Sequence, residues 1–372
     1  MRGPITRLLA VALAGLLTAP ATAPDARGGD GELTVVSWGG AYTKSQILGF
    51  IRPFESRTGI EVDVLDYDGG LGEIRGQVES FNVKWDVVDL ELADAIRGCR
   101  EGLLVEVDPD RLPPSPDGIP AREDFIEEAL QGCAVGSVVW STVVAFDRAA
   151  FKEGEAPKGL EDLFDIGEFP GRRGLRRTPK GNLEWALVAD GVAPEKVYRV
   201  LDTEKGLDRA FRVLSRIKPY VVWWTTGTEA VRMLSRGQIR MAAAYSGRVW
   251  EANASRGADL GILWDHQLRN LDLWGIVRHT ENLSQARRFL RFATSTESLA
   301  RQAGYIPYGP ARRSSQALVP AGMKPYLPTI PDHMAGSVQI DAAWWAENFE
   351  RIDRRFQRWL ERPVRVPRAL PH

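Results

Sequence analysis

Short apolar runs rich in β-branched residues alternate with segments of helical periodicity along the first hundred residues. The predicted strands are residues 33–38, 60–66 and 85–92, and the predicted helices are residues 42–57, 71–81 and 93–101. Alternation of this regularity predicts a mostly parallel sheet with helices on its faces. A proline-rich surface loop at 109–120 then interrupts the series.

A β-rich run at 137–146 leads into a second α/β series. Its predicted strands are residues 174–178, 238–245, 260–264 and 272–277, and its predicted helices are residues 183–190, 194–217, 228–235, 248–256, 284–303 and 342–360. The chain is too long for one core, so we predict an α/β protein of two lobes with a cleft between two mixed sheets. Lobe 1 comprises residues 32–143 plus 272–312, and lobe 2 comprises residues 144–271 plus 313–372.

The first residues follow the order of a secretory signal peptide. Arg2 and Arg7 precede an apolar run at 8–17, and small residues follow. The run is too short to cross a bilayer of about 30 Å as a helix. We therefore predict removal of residues 1–21 and a periplasmic location, with cleavage after Ala23 or a lone membrane anchor as alternatives.

The charge balance gives no reason to expect a nucleic-acid partner. The chain has 48 basic and 49 acidic residues, a formal net charge of −1, and such a balance creates no field that would gather a polyanion. The arginine-rich run at 172–177 and the basic segment after Arg351 are expected to be solvated faces. No later stretch stays apolar for 18 residues, so the mature protein is expected to be soluble.

The chain contains two cysteines, Cys99 and Cys133. In an oxidising compartment an even pair at this separation predicts a disulfide. Closing a loop of this length would stabilise the fold by about 4 kcal/mol in the chain-entropy model. Two buried free thiols are the alternative.

No sequence motif compels an enzyme. The four histidines lack the spacing of a zinc helix motif, and the Gly-rich stretch at 39–45 lacks the glycine that precedes the lysine of a phosphate loop. Asp89, Glu91 and Asp94 form an acidic cluster that could hold an acid–base pair, but a cleft-lining or solvated role is the simpler interpretation. We therefore predict a non-enzymatic protein with no cofactor and no metal.

An ordered set of short motifs carries a resemblance to a known family. The pieces are VVSWGG at 35–40, FESRTGIEV at 54–62, WDVVD at 85–89, GLLVEVD at 102–108, FPG at 169–171, LSRG at 234–237, AYSGR at 244–248 and YIPYGP at 305–310. In this order they resemble extracellular solute-binding proteins of ABC transporters, in the spermidine/putrescine-binding group. The resemblance implies a type II periplasmic-binding-protein fold whose two hinged lobes close on a solute. It also implies a monomer that docks on an inner-membrane permease.

The resemblance also nominates ligand-binding residues. Trp38 ends the first strand and faces the cleft. Glu91 lies in the segment 90–93 that replaces the family's usual Pro-Ser-containing turn, which puts it near the ligand. Asp272 matches an acidic position that contacts an amine in polyamine binders. Trp140 and Ser141 fall at the crossover between lobes, and Tyr245 holds an aromatic position. Trp224 is a further candidate for an aromatic wall, and Arg248 lies near the cleft.

These residue types suit an organic cation. Carboxylates pair with ammonium groups through charge-assisted hydrogen bonds, and aromatic faces attract cations. The sequence therefore predicts capture of a polyamine or related amine. The turn at 179–182 lacks the acid common in polyamine binders, and Arg248 could receive a carboxylate. An amino-acid-like zwitterion or another small organic ion is thus the alternative solute, and a periplasmic enzyme or a sensor on the same fold is the alternative class.

Overall fold

The computed structural model describes residues 32–363, so the predicted signal peptide lies outside the described residues. Within this range no helix combines the length and the apolar character that crossing a membrane requires. The strands of this range are β1 (Leu33–Ser37), β2 (Val62–Asp66), β3 (Val87–Glu91), β4 (Leu130–Gln131), β5 (Ala134–Asp147), β6 (Arg173–Arg176), β7 (Val221–Trp224), β8 (Met241–Tyr245), β9 (Leu260–Ile276), β10 (Gly309–Pro310) and β11 (Val338–Gln339).

The main strands follow one another in the order β2-β1-β3-β9-β5-β8-β6-β7. At one end β1 pairs in parallel with β2 and β3, and at the other β6 pairs in parallel with β7 and β8. The pairs β3–β9, β5–β9 and β5–β8 are antiparallel. Both ends therefore carry the mixed α/β sheets predicted from the sequence.

Two long strands join these ends. The 14-residue β5 and the 17-residue β9 pair with each other along most of their length. The second half of β9 also pairs with β3, whereas the second half of β5 also pairs with β8. The prediction of separate strands at 260–264 and 272–277 was wrong, because one strand spans both. The predicted lobe division stays a prediction. It places the boundaries after residues 143 and 271 inside these long strands and the one after residue 312 at the start of α14 (Arg313–Leu318).

Sixteen α-helices accompany the sheet in the described range. They are α1 (Gly40–Gln46), α2 (Arg52–Thr58), α3 (Gly72–Glu79), α4 (Leu92–Arg100), α5 (Ala121–Asp124), α6 (Leu160–Phe164), α7 (Asn182–Ala189), α8 (Val197–Leu201), α9 (Glu204–Ile217), α10 (Gly227–Ser235), α11 (Ser246–Arg256), α12 (Leu283–Ala293), α13 (Thr296–Ala303), α14 (Arg313–Leu318), α15 (Pro331–Met334) and α16 (Ala342–Glu361). A π-helical turn at Ile47–Ile51 joins α1 to α2.

Two predicted helices are each divided by a capping residue. In the range 194–217, the side chain of Thr203 accepts a hydrogen bond from the Gly206 N–H and starts α9 anew. In the range 284–303, Ser295 does the same for α13 by accepting from the Ser298 N–H. A hydroxyl that caps its own downstream backbone favours a helix start over continuation of the preceding helix.

The C-terminal helix α16 connects the two halves of the sheet. Its Phe356 and Trp359 rings pack against Phe211 of α9. On another face Glu350 pairs with Arg97 of α4 at 2.8 Å. Because α4 follows β3, this helix touches elements that the sequence assigned to different lobes.

The disulfide predicted from the sequence is present between Cys99 and Cys133. Their Cα atoms lie 5.7 Å apart, within the usual range for such a bond. It joins the end of α4 to the residue that directly precedes β5.

Candidate ligand-binding site

A cavity of about 450 Å³ lies where β1, β3 and β8 end, which is within the size range of small-molecule sites. We call it the interlobe chamber. It is lined by residues from both ends of the sheet: Trp38, Tyr42, Tyr67, Asp68, Glu91, Trp140, Arg176, Thr225, Thr226, Gly227, Tyr245, Arg248 and Asp272.

Three carboxyl groups lie on one face of the sheet beside this chamber. Asp89 and Glu91 are two residues apart on β3, and Glu91 pairs directly with Asp272 of β9. Asp89 accepts hydrogen bonds from the Tyr42 hydroxyl at 2.8 Å and from the Gln46 amide. Burial raises the pKa of Asp89 to about 7. Two side chains of helix α1 thus fix the position of Asp89.

Asp272 is a buried carboxyl group of the chamber with one oxygen still available to a ligand. The indole N–H of Trp140 donates to its Oδ1 at 2.7 Å, and among residues 32–363 no side chain donates to its Oδ2. Burial, followed by the nearby charges of Asp89 and Glu91, raises the pKa of Asp272 well above its ordinary value. A cationic group in the chamber would relieve this repulsion.

Glu91 is already paired with cations from the other half of the sheet. Arg176 Nη1 lies 2.9 Å from its Oε1, Lys180 contacts its Oε2, and Asn270 donates to Oε2 at 3.3 Å. Burial alone would raise the pKa of Glu91, but Lys180 and Arg176 outweigh it and lower this pKa to about 2. Glu91 is therefore ionised and satisfied by the protein itself.

Arg248 enters the chamber from the first turn of α11. Its guanidinium donates to the Trp38 carbonyl at 2.9 Å and to the Thr228 hydroxyl at 3.0 Å, while its Nε has no acceptor among the described residues. Two glycines make room for it. A methyl carbon at Gly40 would lie 2.6 Å from Nη1, and one at Gly227 would lie 2.8 Å from Nε. Gly227 also begins α10, whose N-terminus favours negative charge.

Aromatic rings complete the chamber. Two guanidinium groups lie near the Tyr245 ring, that of Arg176 at 6.0 Å and that of Arg248 at 5.8 Å from its centroid. Trp140 meets Tyr245 edge to face at 4.9 Å, and Trp38 packs on Tyr67 at 4.8 Å. These faces can cover a methylene chain while the charged groups bind its ends.

A second cavity of about 430 Å³ adjoins the first. We call it the inner chamber. It shares Trp140, Arg176 and Tyr245 with the interlobe chamber and is otherwise lined by Thr142, Lys180, Gly181, Asn182, Trp185, Trp224, Ala243, Leu268, Asn270 and Ile340.

Most residues nominated from the sequence meet at these chambers. The interlobe chamber brings together Trp38, Glu91, Trp140, Tyr245, Arg248 and Asp272, and Trp224 lines the inner chamber. Ser141 is the exception, since it lines neither chamber. Side chains alternate across a strand, so the orientation that turns Trp140 and Thr142 toward the chambers turns Ser141 to the other face of β5.

Two arginines of the run at 172–177 are not solvated as the sequence predicted, and one of them lines both chambers. Arg173 is fully buried and donates to backbone carbonyls of Leu163, Gly171 and Phe169. Arg176 pairs with Glu91. Arg176 ends β6, so the rule that ligands bind at the carboxyl ends of strands could have found it.

Comparisons with known proteins agree with this architecture. A sequence model of the bacterial extracellular solute-binding protein family matches residues 49–329. The chain is 37% identical over 330 residues to the gamma-aminobutyric acid-binding protein of Pseudomonas aeruginosa, which covers 89% of this chain and 91% of that protein.

Two solved structures are similar over nearly the whole described range. The Atu4243–GABA receptor is 27% identical with a TM-score of 0.76, covering 92% of this chain and 99% of its own. An ABC transporter substrate-binding protein from Bradyrhizobium japonicum USDA 110 is 30% identical with a TM-score of 0.79, covering 89% of this chain and 100% of its own. The chain therefore belongs to the bacterial extracellular solute-binding protein family, as the non-enzymatic substrate-binding subunit of an ABC transporter for a small solute.

Proposed function

We propose that this protein captures a zwitterionic ω-amino acid, with 4-aminobutanoate (GABA) as the reference ligand. The observation that carries the proposal is the placement of Asp272 and Arg248 in one cavity, both buried. The Nε of Arg248 has no acceptor among the described residues, and the side chain of Asp272 accepts from the Trp140 indole N–H through Oδ1, leaving Oδ2 for a ligand. A carboxylate and a guanidinium that face one chamber match a ligand with an ammonium at one end and a carboxylate at the other.

The buried charges argue against a diamine. A diamine needs a second carboxylate for its second ammonium. Of the other acids that line the chamber, Glu91 is engaged by Arg176 and Lys180, and Asp68 is exposed to solvent, where an ion pair contributes little. Arg248 and Arg176 would instead repel that ammonium. The polyamine predicted from the sequence therefore remains the competing solute, and the zwitterion named as its alternative is the better match.

The two relatives with GABA in their names support the same choice. Each covers about nine-tenths of this chain, and membership of an extracellular solute-binding family supports a location outside the cytoplasmic membrane. We extend the proposal to a periplasmic monomer that is exported by residues 1–21 and delivers its ligand to an inner-membrane ABC permease.

Titration calorimetry of the purified protein tests the proposal. The ligands are GABA, butylamine, butanoate, putrescine and spermidine, so that butylamine and butanoate each keep one charged end of GABA. We expect GABA to bind at least about tenfold more tightly than either, because a hydrogen bond to a charged group contributes about 1.5–3 kcal/mol. Binding of putrescine or spermidine more tightly than GABA would instead establish the polyamine function.

A pair of arginine variants locates the carboxylate. Arg248→Gln removes the buried guanidinium, whereas Arg236→Gln removes an exposed one outside both chambers. We expect the first to weaken GABA strongly and the second to leave it unchanged. Equal GABA affinity in both variants would remove Arg248 from the site.

A further inference from the structure

The inner chamber continues the interlobe chamber along the sheet. Asn270 and Leu268 precede Asp272 on β9 by two and four residues and lie on the same face. They pair with Trp140 and Thr142 of β5. Two residues of a strand advance about 7 Å. An extended four-carbon amino acid, at about 1.2 Å per bond, spans only about 5 Å. A ligand held at Asp272 must therefore be longer than GABA to reach this part of the sheet.

The inner chamber favours a negative group. Arg176 and Lys180 both line it, whereas Glu91, the carboxylate that they share, does not. Among the described residues that line it, none is acidic. The walls of the inner chamber therefore present two cationic side chains and no carboxylate.

A buried donor without a partner supports the same interpretation. Trp224 is 1% exposed, and its indole N–H has no acceptor among the described residues. The indole N–H groups of Trp140 and Trp185 are both satisfied, by Asp272 and by the His266 carbonyl. A buried donor normally finds an acceptor, and a carboxylate beside Arg176 and Lys180 would supply one.

We propose that the inner chamber is a second carboxylate subsite, bound by Arg176, Lys180 and the indole N–H of Trp224. It receives the acidic end of ω-amino acids longer than GABA while their ammonium stays at Asp272. The proposal rests on the proposed capture of an ω-amino acid and extends it to a longer class of substrate. Apolar walls from Trp185, Ala243 and Leu268 cover the additional methylene groups.

Calorimetry with GABA, 5-aminopentanoate, 6-aminohexanoate and hexylamine tests the subsite. We expect 6-aminohexanoate to bind the wild-type protein within about tenfold of GABA, and hexylamine to bind at least about tenfold more weakly than 6-aminohexanoate because it lacks the carboxylate. Binding of GABA with no detectable 6-aminohexanoate binding overturns the subsite but not the proposed function. Failure of all three amino acids overturns both.

Two variants separate the subsite from the interlobe chamber. Ala243→Leu fills the inner chamber, and Trp224→Phe removes its unpartnered indole N–H, with Trp223→Phe, outside both chambers, as the control. We expect each of the first two to weaken 6-aminohexanoate about tenfold or more and to change GABA affinity less than about threefold. Circular dichroism and thermal unfolding establish that each variant is folded, and an equal loss for both ligands in the folded Trp224→Phe protein overturns the subsite.

Discussion

Replacing Asp272 with asparagine removes the carboxylate proposed to bind the ligand ammonium while keeping the shape of the side chain. The carbonyl oxygen of the asparagine can still accept the Trp140 indole N–H, which now donates to Oδ1 at 2.7 Å. The local packing of β9 should therefore survive. What changes is the charge that faces the chamber.

The expected loss is that of a buried charged pair. Asp272 is 4% exposed, and a hydrogen bond between charged groups in such a place contributes about 2–3 kcal/mol. This corresponds to an increase of about 30- to 150-fold in the dissociation constant for GABA. The ligand-free variant should also be at least as stable as the wild-type protein near neutral pH, because it avoids ionising a carboxyl group beside Asp89 and Glu91.

The pH dependence of affinity provides the second measurement. Burial and the neighbouring carboxylates raise the pKa of Asp272 in the free protein, whereas a bound ammonium would favour the ionised form. Binding therefore releases a proton, and affinity rises with pH until the free carboxyl is itself ionised, with a limit of about tenfold per pH unit for one proton. The ligand ammonium, with a pKa near 10, stays charged over this range.

Calorimetry of GABA binding at several pH values between 5.5 and 8.5 tests this reasoning. The control is Asp117→Asn, which removes the same charge from an exposed loop. We expect the wild-type protein and the control to bind more tightly as pH rises, and Asp272→Asn to bind weakly with a smaller slope. Wild-type affinity in the Asp272→Asn protein, or an affinity that falls as pH rises, would refute the assignment of the ammonium to Asp272.

Three further predictions concern the groups around the site. Asp89→Asn should raise the free energy of unfolding by up to about 4 kcal/mol at pH 8 and little at pH 4. Folding raises the pKa of this carboxyl from 3.8 to about 7, so the protonated carboxyl stabilises the wild-type protein at low pH and that stability is lost as pH rises through 7. Equal gains in urea unfolding at both pH values would contradict this. Glu91→Gln should destabilise the closed arrangement of the two halves by about 3 kcal/mol at pH 7. Pairing with Lys180 and Arg176 lowers the pKa of Glu91 from 4.5 to about 2, and this stabilisation is present above pH 4.5. An unchanged radius of gyration of the ligand-free protein would count against the prediction. Replacing Cys99 and Cys133 together with serine should lower the free energy of unfolding by about 4 kcal/mol while leaving GABA affinity unchanged, because the cross-link closes a separation of 34 residues away from both chambers.

The fold could be predicted where side-chain pattern and local structure agree. Strand β1, for example, is rich in β-branched residues and is buried along most of its length. The middle of β9 could not be predicted in this way, since residues 265–271 are largely polar. Gln267 is buried there by donating to the carbonyls of Pro328 and His333, and Asn270 by donating to Glu91. These partners are distant in sequence, so no local pattern reveals that the strand continues.

The candidate site could be predicted from strand ends but not from charge runs. Three residues lie at or within one residue of the ends of predicted strands, and the structure brings all of them to the interlobe chamber: Trp38, Glu91 and Tyr245. Arg176 lies in a run of arginines that looks the same whether it is solvated or buried. Its partner Glu91 is 85 residues away in the chain. Only the pairing of the two halves of the sheet distinguishes a buried, functional arginine from a surface one.

This pairing implies that the protein discriminates between ligands at the step in which its two halves close. Asp89, Glu91 and Asp272 come from the half of the sheet that holds β3, whereas Arg176, Lys180 and Arg248 come from the half that holds β6 and β8. If the halves separate, the acidic face alone would attract any small cation, diamines included. Closure pairs Glu91 with Arg176 and Lys180 and places Arg248 in the chamber. A diamine is then left with one open buried carboxylate, that of Asp272, and an adjacent guanidinium, whereas an ω-amino acid satisfies both. On the proposed function, discrimination against diamines arises at closure, not at the first encounter.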